Sequence, residues 1–348
     1  MTALDRPVRL VLTLAFLAVL ACQAAVAEAP GRAIEQKVAE LDREMTGSLG
    51  VYVRHLGEGW SAAHNVDRDW YLASTIKVPL AIALMREAEA GKLSLDDELT
   101  LEEEHFVDGS GDLLWHAPGE RFSLLELNRR SIRDSDSTAT DLLITHLGVD
   151  HFNELVSQFS QPGTFGRITP ILQVRHDAWS EVHPDARKLS NLDFIELSAQ
   201  RNAARRHGMV LDKLGLDSQQ ADAASTREAF QRYYRRGDNS GNLEKFGHLL
   251  EQLVNGELLD RAHTELLLEI MESVNTGERR LKAGLPEGME LAHKTGTQID
   301  RACHIGIINP RQPEQAVVVM ACAADYDQLQ EAERAFAGIG RILGDVLP

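Results

Sequence analysis

The sequence predicts an α+β fold: one antiparallel sheet assembled from both ends of the chain, flanked by terminal helices, with an all-helical domain inserted between the two halves. Three observations carry that expectation. Apolar and polar residues alternate at 49–53, and strand-like runs return only near residue 290. Between them the strong patterns have helical period. The chain is 348 residues long, 43% hydrophobic and 26% charged, which is ample for a large buried core. The expected organisation is a targeting segment at 1–27, a sheet domain from 28–73 plus 276–348, and a helical domain at 74–275.

The elements follow in order. Arg6 and Arg9 precede an apolar run at 10–21 that is short for a bilayer span, and Ala25-Val26-Ala27 forms a cleavage signal before Glu28. This reads as a signal peptide, so the mature protein is expected to be exported, into a bacterial periplasm, with no stable membrane span. The alternative is a lipid anchor through Cys22, against which Leu20 is a large residue for its position. Ile34, Val38 and Leu41 predict a helix over 31–44, Leu49, Val51 and Val53 a half-buried strand, and 60–64 its hairpin partner. A helix over 74–90 stops at Gly91, and others are expected at 124–132, at 138–147 closed by Gly148, and at 243–253. Strands are expected at 290–294, 302–308 and 316–322, and Leu329, Ala332, Phe336, Ile339 and Leu343 share one face of a last helix. The stretch 162–190, with Pro170 and Pro184, reads as a long functional loop.

Composition removes several function classes. A net charge of −17 argues against a nucleic-acid surface and against attraction to anionic lipid. Three cysteines cannot supply paired CxxC metal sites, and no repeat period appears. A hairpin centred near Gln312 sets Cys303 opposite Cys322. An oxidising compartment permits a disulfide there; two buried thiols are the alternative, favoured because paired strands do not always give disulfide geometry.

Three short motifs carry chemistry. Ser74-Thr75-Ile76-Lys77 opens a helix, Ser135-Asp136-Ser137 opens another, and Lys294-Thr295-Gly296-Thr297 ends a strand. Ser-x-x-Lys alone arises by chance about once in such a chain; the three in this order on these elements do not. Ser74 and Lys77 share a helix face, and a serine hydroxyl is a nucleophile only when a base takes its proton. Lys77 can do so if burial and nearby positive charge, such as Lys294, lower its pKa. Ser135 can relay a proton to a leaving nitrogen, Asp136 caps its helix, and Ser137 can donate to a substrate amide. Gly296 permits close approach to the strand, along which a substrate can pair, and the N–H groups of Thr297 and Ser74 can form an oxyanion hole. Arg301 is a candidate for a substrate carboxylate, His293 and His304 are read as non-catalytic, and the chemistry needs no metal or organic cofactor.

With these motifs the sequence resembles the penicillin-recognising serine enzymes, and most closely the class A β-lactamases. The supporting text is YLASTIKVPLAIALM at 71–85, GSGDL at 109–113, SDSTATDLLITHLG at 135–148 and AGLPEGMELAHKTGT at 283–297. The resemblance covers about 31–348. It implies a β-lactamase/transpeptidase-like fold and acyl-serine chemistry with Ser74 as nucleophile, Lys77 and Ser135 as proton carriers, and Lys294 as carboxylate anchor beside Thr295, Gly296 and Thr297. The implied activity is β-lactam hydrolysis; the alternatives are a DD-peptidase acting on peptidoglycan stem peptides and a sensor that acylates without release. The partner is then a small-molecule β-lactam or a stem peptide, and a monomer is expected. Two departures stand out. The second motif ends in Ser137 where the family has asparagine, and no Glu-x-x-Leu-Asn element for deacylation is present. Glu181 is the candidate substitute, with Asp177 and Glu196 behind it.

Overall fold

The computed structural model describes residues 30–347, so the signal segment and Cys22 lie outside the described residues. In chain order the elements are helix α1 (30–43), strands β1 (Ser48–His55), β2 (Ser61–His64) and β3 (Asp69–Tyr71), helix α2 (Lys77–Glu89), and strands β4 (Glu98–Thr100) and β5 (Arg121–Ser123). Helices α3 (Leu124–Arg133), α4 (Ser137–Leu147), α5 (Val149–Phe159), α6 (Ile171–Ser180), α7 (Asn191–Ala199), α8 (Ala203–Leu214) and α9 (Thr226–Tyr234) follow. Strand β6 (Ser240–Asn242), helices α10 (Leu243–Val254) and α11 (Arg261–Glu272), strands β7 (Leu291–Gln298), β8 (Arg301–Ile308) and β9 (Val317–Ala324), and helix α12 (Leu329–Gly344) complete the fold.

The main sheet has five antiparallel strands in the order β2-β1-β9-β8-β7. Strand β9 is buried along its whole length, consistent with its run of valines and alanines at the sheet centre. On one face α1 and α12 cover the sheet, with Ile34 and Val38 packed among Val51, Val319, Phe336 and Ile339. On the other, Tyr52, Ile305 and Met320 join Phe246, Leu249 and the apolar residues of α2, α3 and α4 in the largest core. A smaller core joins α6 to α9 through Trp179, Phe194, Phe230 and Tyr233. The largest core runs without a break from the sheet into the helices.

Several local expectations are corrected. The stretch 162–190 is not a loop throughout: it contains α6 and a 3-10 turn at Pro184–Lys188. Pro170 stands at the N-cap of α6, where a missing N–H costs little, so it starts the helix rather than breaking structure. Strand β7 extends to Gln298, so the Lys294 motif lies within the sheet edge rather than at the end of a strand stopping at 294. Cys303 and Cys322 are bonded to one another, not free thiols, because the β8–β9 register sets them opposite with Cα atoms 4.1 Å apart. Among the described residues no helix is long and apolar enough to cross a membrane.

Candidate active site

Ser74 sits where β3 gives way to α2. Ala73 adopts φ +48°, an unusual angle for a residue with a Cβ, and turns the chain into a 3-10 segment, Ala73–Ile76, that leads into α2. Ser74 is half-buried and faces a cleft of about 610 Å³. Lys77, the first residue of α2, is wholly buried in the cleft wall. Its Nζ donates to the Ser135 carbonyl at 2.6 Å, to Ser135 Oγ at 3.2 Å and to the Asp136 carbonyl at 3.4 Å.

Ser135 is also held in a left-handed conformation, φ +57°. The bonds around it offset that strain: its carbonyl accepts from Lys77 and, at 2.6 Å, from Ser110 Oγ. Asp136 caps α4 by accepting from Ala139 N–H at 2.8 Å, and its second oxygen accepts from Leu113 N–H at 3.0 Å, pinning the 109–113 loop. Ser137 N–H donates to the Ser110 carbonyl at 2.9 Å, while Ser137 Oγ accepts from Ser110 N–H at 3.3 Å and lines the cleft.

Strand β7 supplies the facing wall. Lys294 Nζ donates to Ser135 Oγ at 2.9 Å and to the Thr295 carbonyl at 2.9 Å. A Cβ on Gly296 would lie 2.5 Å from the Leu72 carbonyl oxygen and 2.9 Å from Ser74 N, so only glycine lets the strand rest against the chain at the nucleophile. Arg280 Nη1 donates to the carbonyls of both Gly296 and Cys303, at 3.0 and 2.9 Å, and Nη2 donates to Thr297 Oγ1 at 2.6 Å. One nitrogen reaches both carbonyls because these opposed residues turn them into the space between β7 and β8. The alternation of an antiparallel ladder then leaves the Thr297 N–H on the open edge of β7.

The two lysines meet at one hydroxyl. Burial pulls Lys77 down to about 7, against the opposing pull of Asp136 and Asp141. Burial, followed by the charges of Lys77 and Arg280, holds Lys294 well below the usual lysine range. A doubly charged pair is disfavoured, so a neutral amine is available near neutral pH. Asp141, raised to about 6 by burial, accepts from the Ile171 and Leu172 N–H groups at 2.6 and 2.8 Å and ties the start of α6 to α4.

The α6 side of the cleft is lined by Thr169, Ile171, Val174, Arg175 and Asn239. Asn239 Nδ2 donates to Thr169 Oγ1 at 2.8 Å, and Asn239 Oδ1 accepts from Thr169 N–H at 3.1 Å. Among the described residues the carboxylates lining the cleft are Glu278 and Glu333, and Arg279 and Arg280 line it too.

The structure brings Ser74, Lys77, Ser135, Ser137, Thr295 and Thr297 to one cleft, with Lys294 and Gly296 bonded or packed directly behind them. It does not bring Glu181 there. Glu181 caps the end of α6, where Arg236 Nε and Nη2 both donate to its carboxylate. Asp177 is engaged by Gln173, Arg187 and Arg236, and Glu196 by Lys213. Arg301 pairs with Asp325 at 2.8 Å, stacks on Tyr234 and lines a separate cavity of about 350 Å³. His293 on β7 and His304 on β8 are buried and do not line the cleft. Leu281 N–H donates to His304 Nδ1 at 3.3 Å, which leaves His304 Nε2–H to donate to His293 Nδ1 at 2.9 Å. Burial keeps both imidazoles neutral, His293 at about 4. Sequence reasoning missed Arg280, Arg175, Thr169 and Asn239, none of which belongs to a periodic pattern.

A family model described as the β-lactamase enzyme family matches residues 33–347. A β-lactamase of Rhodobacter capsulatus is 34% identical over 142 residues, 39% of this chain and 45% of that relative, so the match spans less than half of its length. A β-lactamase of Mycobacterium tuberculosis is 25% identical over 319 residues, 89% of this chain and 86% of the relative. Among solved structures, a β-lactamase from Sphaerobacter thermophilus superposes with a TM-score of 0.65 at 22% identity, covering 90% of this chain and 97% of that one. A point mutant of PBP-A, solved as an acyl-enzyme complex with penicillin G, gives 0.66 at 20% identity, covering 90% and 96%. These two structures share the fold.

Proposed function

Since the chain belongs to the β-lactamase enzyme family, we propose that it is a serine hydrolase whose Ser74 attacks the amide carbonyl of a β-lactam and carries the acyl group. The observation that carries this reading is the Ser135 hydroxyl, held between the side-chain nitrogens of Lys77 and Lys294 in the cleft that Ser74 lines. Neutral Lys77 takes the Ser74 proton as the C–O bond forms. The N–H groups of Ser74 and Thr297 hold the oxyanion. The C–N bond breaks as Ser135 passes its proton to the leaving nitrogen and recovers one from the lysine pair. Lys294 and Arg280 give the β7 end of the cleft the positive charge that anchors the ring carboxylate. Water then releases the acyl group from Ser74.

A second reading follows from the α6 wall. It presents Thr169 and Asn239 beside the cleft, and among the described residues no carboxylate lines that wall. An enzyme built this way acylates readily and releases slowly, which suits a DD-peptidase acting on peptidoglycan stem peptides. The N-terminal segment supports export, with a mature N-terminus at Glu28 that intact mass of periplasmic material checks.

The deciding experiment mixes purified protein with benzylpenicillin and follows intact mass and drug consumption together. Many turnovers with a transient adduct support hydrolysis, and a persistent one-to-one adduct supports the peptidase reading. Covalent labelling that survives Ser74→Ala overturns both.

A further inference from the structure

Arg175 stands on α6, and its side chain is 12% exposed in the wall of the Ser74 cleft. Its Nε donates to Asp108 Oδ1 at 2.7 Å. That bond uses one of the five N–H donors of a guanidinium. Among the described residues, Nη1 and Nη2 have no hydrogen-bond partner, and they are not sealed from the cleft. A buried cation with its outer edge unpaired is costly unless something occupies that edge.

Asp108 balances its charge through Nε and leaves the outer edge of the guanidinium unpaired among the described residues. Asp108 is the only side chain bonded to Arg175 among the described residues. The Asp141 carboxylate is turned toward the Ile171 and Leu172 N–H groups. Arg206 lies close enough for Arg175 to disfavour its charge, yet it donates to the Gln200 carbonyl and so adds positive charge without adding an acceptor. Tyr71, Ile171 and Val174 provide an apolar wall beside it in the cleft. The cleft therefore has cationic donors at two ends, Lys294 and Arg280 at β7 and, at α6, the outer edge of Arg175, whose Nε is paired with Asp108.

Resting on the acyl-serine reading above, we propose that Arg175 is a specificity-determining residue whose outer guanidinium edge receives a carboxylate on the acyl side of the substrate. The ring or terminal carboxylate of the leaving half goes to the β7 end, and a second carboxylate, branching near the carbonyl that Ser74 attacks, goes to Arg175 as a charge-assisted, bidentate pair. The favoured substrates are dianionic: penicillins with an acidic side chain, or acyl-peptides whose acyl-side residue carries a carboxylate.

Two penicillins that differ by one group test this. The side chain of α-carboxybenzylpenicillin is that of benzylpenicillin plus a carboxylate. The native protein is expected to acylate with the dianionic drug about tenfold faster, as a second-order rate constant, than with the monoanionic one. In Arg175→Gln that ratio should fall to about one, and in Arg175→Lys it should lie between, because a point charge cannot pair bidentately. Comparing two drugs on one protein cancels any loss of folded fraction. Calorimetric affinities of both drugs for Ser74→Ala repeat the comparison without chemistry, so a failure of acylation is told apart from a failure of the subsite. Equal affinities for Ser74→Ala, or a rate ratio unchanged in Arg175→Gln, overturn the assignment.

Discussion

The acylation rate of Ser74 should rise about tenfold between pH 6 and pH 8 and then level off. In the proposed mechanism the proton acceptor is Lys77, whose pKa burial brings to about 7. A base with that pKa is roughly one-tenth neutral at pH 6 and about nine-tenths neutral at pH 8. An ordinary lysine would instead give a log-linear rise of about a hundredfold over the same interval, with no plateau. Asp141 favours the charged form of Lys77, so Asp141→Asn should move the midpoint to lower pH. Because Asp141 also holds the Ile171 and Leu172 N–H groups, the midpoint rather than the amplitude is the quantity to read. Quenched-flow mixing at sub-saturating penicillin, with the adduct counted by intact mass from pH 5.5 to 9, measures the profile directly. A rate that is flat across the range, or one that climbs without a break to pH 9, would refute Lys77 as the general base.

Other outcomes follow from the same geometry. Gly296→Val should cut acylation by about a hundredfold or more, because the added atoms meet the Leu72 carbonyl and Ser74 N and displace the oxyanion donor; single-turnover labelling checks it. Thr169→Glu places a carboxylate in the cleft wall and should shorten the lifetime of the penicilloyl adduct, read by following its mass after drug removal. Glu181→Gln should leave penicillin turnover within about twofold, since Arg236 holds that carboxylate outside the cleft. Replacing both Cys303 and Cys322 by alanine should cost about 3 kcal/mol in urea unfolding, the loop-closure value for a separation of 19 residues.

The parts of the site legible in the sequence are those where chemistry demands a residue type at short range. Ser74 with Lys77, Ser135 with its capping Asp136, and Lys294 with Gly296 each sit within a few residues of one another along the chain. What stayed hidden is the part assembled through space. Arg280 reaches the cleft from a turn between α11 and β7, and Arg175 from a helix whose start at Pro170 looked like irregular chain. The sheet was readable from its apolar runs, but β7 was cut short because buried Lys294 and Thr295 interrupt the alternation that marks a half-buried strand. Glu181 fell in the right segment of sequence and on the wrong side of α6, a distinction that one turn of helix makes and composition does not.

The order of the sheet also dictates when the molecule comes into existence. Its central strand, β9, is the last of the five to be synthesised, yet it holds β1 on one side and β8 on the other, with Ser48 paired to Ala324. A ribosome therefore releases Ser74, Lys77 and Ser135 well before β7, which carries Lys294 and Gly296, and before β9, which ties the sheet together. Such distant pairings close slowly, and early segments lacking their partners remain loosely held. A chain that stops before β9 lacks the strand that β1 and β8 both pair with, and so cannot complete the five-stranded sheet.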